Sequence, residues 1–118
     1  MHQRVGQIAV IFLSVRTDDD HAAYAAAADA MDKLAARQPG YRGMESVRGG
    51  DGLGITVSYW ADDASAKAWR DNPDHKAVRD MGRARWYERY DLVVAEVTRD
   101  YDWHRPADTQ ADAPADPL

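Results

Sequence analysis

The chain has 118 residues, of which 45% are hydrophobic, and it carries a formal net charge of −5 and no cysteine. A chain of this length is expected to form one domain, and an acidic chain lacks the basic face that nucleic-acid binding usually requires. The lack of cysteine in the sequence excludes disulfides, thiolate nucleophiles and cysteine-ligated metal centres.

The first predicted element is a strand over residues 5–15. Side chains alternate between the two faces of a strand, and here both sets are apolar. Ile8, Val10 and Phe12 fall on one face, and Ala9, Ile11, Leu13 and Val15 fall on the other. A strand that is apolar on both faces is expected to be central in its sheet and covered on both sides.

A helix is predicted next, from the acidic residues 18–20 to about Arg37. Acidic residues stabilise the start of a helix by capping it and by interacting with its dipole. One narrow apolar stripe recurs along it at helical spacing, formed by Tyr24, Ala27, Met31 and Leu34. The Pro-Gly pair at residues 39–40 is expected to end the helix.

Two further strands are expected to form a hairpin. Residues 41–47 and 53–60 are strand-like, and the Gly- and Asp-rich residues 49–52 between them are typical of a turn. In the second of these strands, alternation divides the side chains into two sets. Leu53, Ile55, Val57 and Tyr59 share one face, and Thr56, Ser58 and Trp60 share the other.

The next segment is predicted to be helical with one interruption. The aspartates at residues 62–63 suit the start of a helix that carries Trp69. The Asn-Pro pair at residues 72–73 then indicates a new helix, because Asn caps well and Pro fits the first helical position. The last strand is predicted from about residue 87 to residue 101.

The order strand, helix, strand, strand, helix, strand predicts a ferredoxin-like βαββαβ fold of the α+β class. One antiparallel sheet then has helices on one face only. The other face of the apolar first strand needs a cover, and the sheet of a second subunit is the simplest one. We therefore expect a homodimer whose two sheets close into a dimeric α+β barrel. The domain is expected to span residues 1–103, and the Pro-, Ala- and Asp-rich residues 104–118 are expected to be a flexible tail.

The sequence also favours a location. The apolar run at residues 8–13 is short for a secretion signal, and no small-residue cleavage site follows it. No segment approaches the ~18 apolar residues that a membrane span needs. We therefore expect a cytoplasmic protein that binds neither membranes nor nucleic acid.

Four local patterns resemble one known family. They are Gly40-Tyr41 before the second strand, Ser58-Tyr59-Trp60 at the end of the third, Ala68-Trp69 in the second helix, and the block from Gly82-Arg83 to Tyr90. With the predicted element order, they resemble the antibiotic biosynthesis monooxygenase (ABM) family over about residues 5–101.

The resemblance implies an activity. Relatives include small oxygenases that oxidise aromatic polyketides without metal, flavin or nicotinamide, and others that degrade haem. In the polyketide-oxidising members a helical Trp, a hydrogen-bonding residue and an Arg line the pocket, and the matching positions are Trp69, His75 and Arg89. The resemblance thus implies a cofactor-independent monooxygenase that oxidises a small phenolic or quinone-forming aromatic with O2 in the barrel cavity. The alternatives are a haem-binding or haem-degrading enzyme and a non-catalytic, ligand-binding dimer.

Residue chemistry is compatible with this activity. A phenol gives an electron to oxygen once it is a phenolate, so the protein must accept a proton, stabilise the anion and exclude water. His75 could be the base, since its ordinary pKa lies near working pH. Arg89 or Arg83 could stabilise the anion, and Trp69 and Tyr59 could stack on a flat ring.

Tyr59, Arg79 and Arg83 are the predicted substrate-binding residues. Each candidate also has a structural alternative: Trp69 as a core residue, His75 as a solvent-facing or ion-paired one, and the arginines as partners of surface acids. The histidines of the sequence lack metal-ligand spacing, so no metal site is predicted. The remaining aromatic residues of the block, Trp86, Tyr87 and Tyr90, are expected to pack at the barrel end or the dimer seam.

Overall fold

The computed structural model describes residues 3–107, which form one four-stranded sheet and three α-helices. In chain order the elements are β1 (Ile8–Arg16), α1 (His21–Ala36), β2 (Tyr41–Arg48), β3 (Leu53–Trp60), α2 (Asp63–Arg70), α3 (Pro73–Met81), a π-helical turn (Gly82–Trp86) and β4 (Tyr87–Glu96). The sheet order is β2-β3-β1-β4, and every pairing is antiparallel. The predicted ferredoxin-like fold of the α+β class is confirmed.

β1 is a central strand, as its two apolar faces predict. It pairs with β3 along one side and with β4 along the other. The pairing with β4 contains a bulge: Val15 lies opposite Arg89, but the next residue of β1, Arg16, lies opposite Tyr87. A bulge adds one residue to one strand and changes which face the neighbouring side chains point to.

The hydrophobic core lies between the sheet and the helices, around Trp60. This side chain is fully buried and packs with Trp69 of α2, with ring centroids 6.0 Å apart, and with the edge of Tyr41 at 5.7 Å. Its indole N–H donates to Ser58 Oγ at 3.0 Å, so the buried polar atom has a partner. Ala35 and Ala66 belong to the same core, and these small residues allow α1 and α2 to lie close to the sheet.

Side-chain caps fix where the second and third helices begin. The carboxylate of Asp62 accepts from the backbone N–H of Ser65, and Ser65 Oγ in turn accepts from the Asp62 backbone N–H, which makes a capping box. Asn72 Oδ1 accepts from the backbone N–H groups of Asp74 and His75. The predicted interruption at residues 72–73 is therefore confirmed, and α3 starts with Pro73 at its first position.

The structure corrects the ends of two predicted strands. β1 starts at Ile8 instead of residue 5, because Arg4 and Gln7 close a turn in which Gly6 has φ of 87°. β4 ends at Glu96 instead of residue 101, where it lies opposite Ile8, the first residue of β1. Residues 97–107 contain no helix or strand, and 108–118 of the predicted tail lie outside the described residues. Within the described region, no helix is long and apolar enough to cross a membrane.

Candidate active site

A cavity of about 760 Å³ lies between the helix-facing side of the sheet and the three helices. Its floor is formed by side chains of the four strands, including Val10, Phe12 and Thr56. Its walls come from α1, α2, α3 and the π-helical turn. Leu92 and Val94 of the edge strand β4 also line it and are 52% and 53% exposed, so the cavity opens to solvent along β4.

Trp69 and His75 form one wall of this cavity. Trp69 is the aromatic residue of α2. Its buried indole stacks on the imidazole of His75 in the first turn of α3. The ring centroids are 4.2 Å apart and the planes differ by 9°. The short link at Asp71 and Asn72 between the two helices brings these residues together, and the Asn72 cap holds the His75 backbone.

One hydrogen bond fixes the tautomer of His75. Its Nδ1 lies 2.9 Å from the main-chain carbonyl oxygen of Trp69. A carbonyl oxygen only accepts, so Nδ1 donates, and in the neutral ring Nε2 carries the basic lone pair. Burial lowers the pKa of His75 below its ordinary value of 6.5; the hydrogen bond to the Trp69 carbonyl opposes this effect, and the positive charge of Arg79 adds to it. His75 is therefore neutral near pH 7 and able to accept a proton at Nε2.

Two of the cationic side chains that line the cavity are already paired. Lys67 Nζ lies 3.0 Å from the carboxylate of Asp63, and Arg70 Nε lies 2.9 Å from that of Asp71. The hydrogen bond from Arg70 is the main reason why the pKa of Asp71 is lowered. These pairs leave the charges of α2 balanced at the cavity wall.

Arg79 and Arg83 line the cavity one and two helical turns after His75. Arg79 Nη1 donates to the main-chain oxygen of Arg70 at 3.0 Å, and Arg83 Nε donates to the hydroxyl of Tyr90 at 2.6 Å. Among residues 3–107, neither guanidinium has a carboxylate oxygen within 4.0 Å.

A tyrosine pair lies at the other end of the cavity. The hydroxyl of Tyr87 donates to that of Tyr24 at 3.3 Å, and Arg48 Nη2 donates to the same Tyr24 oxygen at 3.1 Å. Burial, followed by the bond to Tyr24, raises the pKa of Tyr87. Arg48 is itself held by Ser14 Oγ at 2.8 Å. Tyr87 thus offers a neutral hydroxyl group to a molecule in the cavity.

A carboxylic acid of α1 also reaches the cavity. Asp32 lines it, and no cation lies within 4.0 Å of its carboxylate in the part of the chain that the structure describes. Partial burial and the neighbouring charge of Asp29 raise its pKa. Among the described residues, no group of three or more His, Cys, Asp or Glu side chains is arranged to hold a metal ion.

The comparisons with known proteins agree with this architecture. The family model of antibiotic biosynthesis monooxygenases matches residues 7–81, which is more than half of the chain. The chain belongs to the ABM family. The uncharacterized protein YqjZ of Bacillus subtilis is 48% identical to it over 91 residues, covering 77% of this chain and 79% of YqjZ.

Two solved structures show the same fold at low sequence identity. SnoaB from Streptomyces nogalater, described as a cofactor-independent oxygenase, superposes with a TM-score of 0.69 at 13% identity, over 81% of this chain and 97% of SnoaB. Rv0793 from Mycobacterium tuberculosis superposes with a TM-score of 0.72 at 16% identity, over 81% of this chain and 99% of Rv0793. At these identities the likeness concerns the fold.

The structure brings together four of the six predicted site residues of this ABM-family protein. Trp69, His75, Arg79 and Arg83 all line the cavity. Tyr59 and Arg89 do not line it. The helices cover the Trp60 face of β3, which leaves Tyr59 on the opposite face under the guanidinium of Arg4.

Arg89 lies on that same opposite face for a reason of strand pairing. It is the partner of Val15, whose side chain points away from the helices, and its guanidinium lies 3.4 Å from the carboxylate of Asp91. It is also exposed. An arginine that does line this cavity is Arg83, which comes from the π-helical turn and not from the strand.

The cavity also contains aromatic residues that the sequence analysis placed elsewhere. Trp86, Tyr87 and Tyr90 line it, although packing at the barrel end or dimer seam was expected. Tyr87 and Tyr90 are an odd number of residues apart, so strict alternation would put them on opposite faces. The bulge in β4 cancels this alternation and turns both toward the cavity. Tyr24 and Asp32 also line the cavity and were not predicted as site residues. The sequence pattern that could have identified them is the apolar stripe of α1, because they lie on it or beside it.

Proposed function

We propose that this protein is a cofactor-independent monooxygenase that oxidises a small phenolic aromatic with O2 in the cavity. The observation that carries the proposal is His75, a half-buried imidazole that is neutral near pH 7, has Nε2 as its basic atom and lines an aromatic-walled cavity. Membership of the ABM family and the fold shared with an oxygenase described as cofactor-independent support it.

The overall reaction balances without a further reductant. A phenol with an unsubstituted para position loses its O–H and one C–H hydrogen, and O2 accepts four electrons. One oxygen atom becomes the new carbonyl of a quinone, and the other leaves as water. The protein therefore has to move protons and stabilise anions, while the electrons come from the substrate.

His75 starts this sequence by accepting the phenol proton at Nε2. The phenolate gives one electron to O2, and the resulting radical and superoxide combine at the para carbon to form a peroxide anion. Protonated His75 returns its proton to that peroxide. Loss of the C–H proton to His75 then accompanies cleavage of the O–O bond, and the leaving hydroxide takes this proton from His75 to become water, which restores the neutral imidazole.

The other cavity residues bind the substrate and stabilise its charge. Trp69 stacks on the imidazole of His75 and so positions this base at the cavity wall. The guanidinium groups of Arg79 and Arg83 favour the anions that develop during the reaction. Tyr59 and Arg89 have no part in this scheme, because both lie on the opposite face of the sheet.

The test is oxygen uptake with 1-naphthol, whose para position is unsubstituted, comparing His75→Ala with Lys76→Ala. Lys76 is exposed, adjacent in sequence and does not line the cavity. Removal of a general base is expected to lower kcat by at least about 100-fold, and Lys76→Ala should retain the wild-type rate. Uptake that survives in a folded His75→Ala variant would contradict the assignment, and binding without any uptake in the wild type would favour a non-catalytic binding protein.

We propose in addition that the protein is a homodimer. The sheet face that the helices leave open exposes several apolar side chains: Val47 is 71% exposed, Val93 48%, Leu53 41% and Ile55 38%. An apolar face of this kind normally marks an interaction surface. A second copy of the same sheet would cover it, which gives the dimeric α+β barrel implied by the resemblance to the family.

Haem binding is the second candidate, since Nε2 of His75 makes no hydrogen bond to the described residues. An imidazole nitrogen of this kind is a suitable axial ligand for haem iron. Titration with haemin tests the candidate directly. A Soret shift that is lost in His75→Ala would support it, and the absence of a shift, or a shift that His75→Ala leaves unchanged, would exclude this role of His75.

A further inference from the structure

Three side chains form one row along the cavity side of α3 and the turn after it. His75, Arg79 and Arg83 follow one another at intervals of four residues, which places them on the same face of the helix. The rise of ~1.5 Å per residue separates His75 from Arg79 by about 6 Å along the axis, with Arg83 one turn further. The row therefore has a basic nitrogen at one end and two positive charges at the other.

The positive charges in this row are uncompensated within residues 3–107. The cations of α2 that line the cavity are neutralised by Asp63 and Asp71, whereas Arg79 and Arg83 have no carboxylate within 4.0 Å. Arg79 does act on Asp71 at longer range, but Asp71 is already engaged with Arg70. The chain has a net charge of −5, but these two guanidinium groups have no carboxylate partner among the described residues. We therefore expect them to bind an anion that enters the cavity from solution.

Each guanidinium is also positioned for such an anion. Arg79 uses Nη1 to hold the carbonyl oxygen of Arg70, and Arg83 uses Nε to hold the hydroxyl of Tyr90. These bonds orient the two groups and leave their remaining N–H donors available. A carboxylate, with two oxygens in one plane, is the small group that fits a guanidinium best.

We infer that the substrate is an aromatic carboxylate, whose carboxylate is bound by Arg79 and Arg83 while its phenol group lies at His75. This inference rests on the proposed function for the role of His75, but the charge preference itself is a property of binding. Neutral phenols enter the same cavity with lower affinity. Asp32, which lines the opposite wall, has a raised pKa and so opposes the anion less than an ordinary carboxylate would.

The experiment compares 5-hydroxy-2-naphthoate, whose para position C8 carries a hydrogen, with its neutral amide, 5-hydroxy-2-naphthamide, by isothermal titration calorimetry at pH 7.5. Because the site is partly open to solvent, we expect the carboxylate to bind about tenfold more tightly than the amide. The preference should fall when NaCl is raised from 50 to 500 mM, since exposed charges are screened.

Substitutions test whether Arg79 and Arg83 cause the preference for the carboxylate. In Arg79→Gln/Arg83→Gln the ratio of the two affinities should fall to near one, and a circular-dichroism spectrum that matches the wild type shows that the variant is folded. Arg85→Gln is the matched control, because Arg85 lies in the same turn but pairs with Asp19 and does not line the cavity. It should keep the full preference.

Each outcome has a defined meaning. Equal affinities in the wild type, or a preference that survives in the double variant, would overturn the inference and leave the proposed oxidation standing. A carboxylate preference without oxygen uptake from either compound would support the inference and contradict the proposed function. Failure of both compounds to bind would overturn both.

Discussion

The imidazole of His75 and the indole of Trp69 form a stacked pair whose ring planes differ by 9°, and Nδ1 of the imidazole bonds to the main-chain oxygen of Trp69 at 2.9 Å. The first contact desolvates the imidazole, and the second fixes its tautomer. The end of α2 thus determines the chemical state of a residue at the start of α3. This relationship makes His75 testable by pH as well as by substitution.

The lowered pKa of His75 predicts the acidic limit of activity. The proposed base is active when neutral, so kcat/KM for a phenol should fall only as the pH drops through the pKa of His75, below 6.5. The pH–rate profile of oxygen uptake measures this limit, and the NMR titration of the His75 Hε1 signal locates the same pKa independently. An imidazole pKa of 7 or above would contradict the burial that the structure shows.

The same shift predicts a change in stability with pH. Burial depresses the pKa of the folded state, so the unfolded chain binds more protons once the pH falls below about 6.5, and the free energy of unfolding decreases there. Above that pH the contribution is constant. Urea unfolding at pH 7.5 and 5.5 should show a smaller loss in His75→Phe than in the wild type. An equal loss in both proteins would mean that His75 does not contribute.

Asn72 provides a separate test of how the site is positioned. Its side chain accepts from the backbone N–H groups of Asp74 and His75, so Asn72→Ala removes the cap of α3. The expected loss in the free energy of unfolding is about 1 kcal/mol, measured by urea denaturation. Asn72→Asp keeps an acceptor at the same place and should stay close to the wild type. If both variants lost stability equally, the hydrogen bonds would not be the cause.

The element order and the helix starts could be predicted from the sequence, because each depends on local chemistry. Asp20, Asp62 and Asn72 cap the three helices as short polar residues do elsewhere. The apolar residues on both faces of β1 correctly predicted its central position in the sheet. These features need only neighbouring residues to be recognised.

The faces of the sheet could not be assigned from the same patterns. Both faces of β1 are apolar, so alternation divides the residues of each strand into two sets without showing which set meets the helices. For that reason the sequence did not show that Arg89 and Tyr59 lie on the face opposite the helices. The β4 bulge that turns Tyr87 toward the cavity depends on pairing with β1, a contact between residues about 70 positions apart in the sequence.

Replacement of Gly40 by alanine is predicted to destabilise the fold. It has φ of 85°, and an added Cβ would clash with Cβ of Ser65, a residue of the α2 capping box. Left-handed strain and the clash together should lower the free energy of unfolding by at least about 2 kcal/mol. Gly50 is the control: it does not have a positive φ, and its Cβ would meet no atom within 4 Å. Chemical denaturation of Gly50→Ala should agree with the wild type within about 0.5 kcal/mol.

The proposed dimer predicts that a charge on the open sheet face separates the subunits. Ile55 lies between Leu13 of β1 and Val47 of β2 on that face, so Ile55→Lys would place an ammonium group in the apolar seam between two sheets. Size-exclusion chromatography with light scattering should show the mass of two chains for the wild type and of one chain for Ile55→Lys. Ala25→Lys, on the exposed side of α1, should remain a dimer. A wild-type protein that is monomeric at micromolar concentration would contradict the proposal, and a dimer that persists in Ile55→Lys would place the subunit interface on another surface.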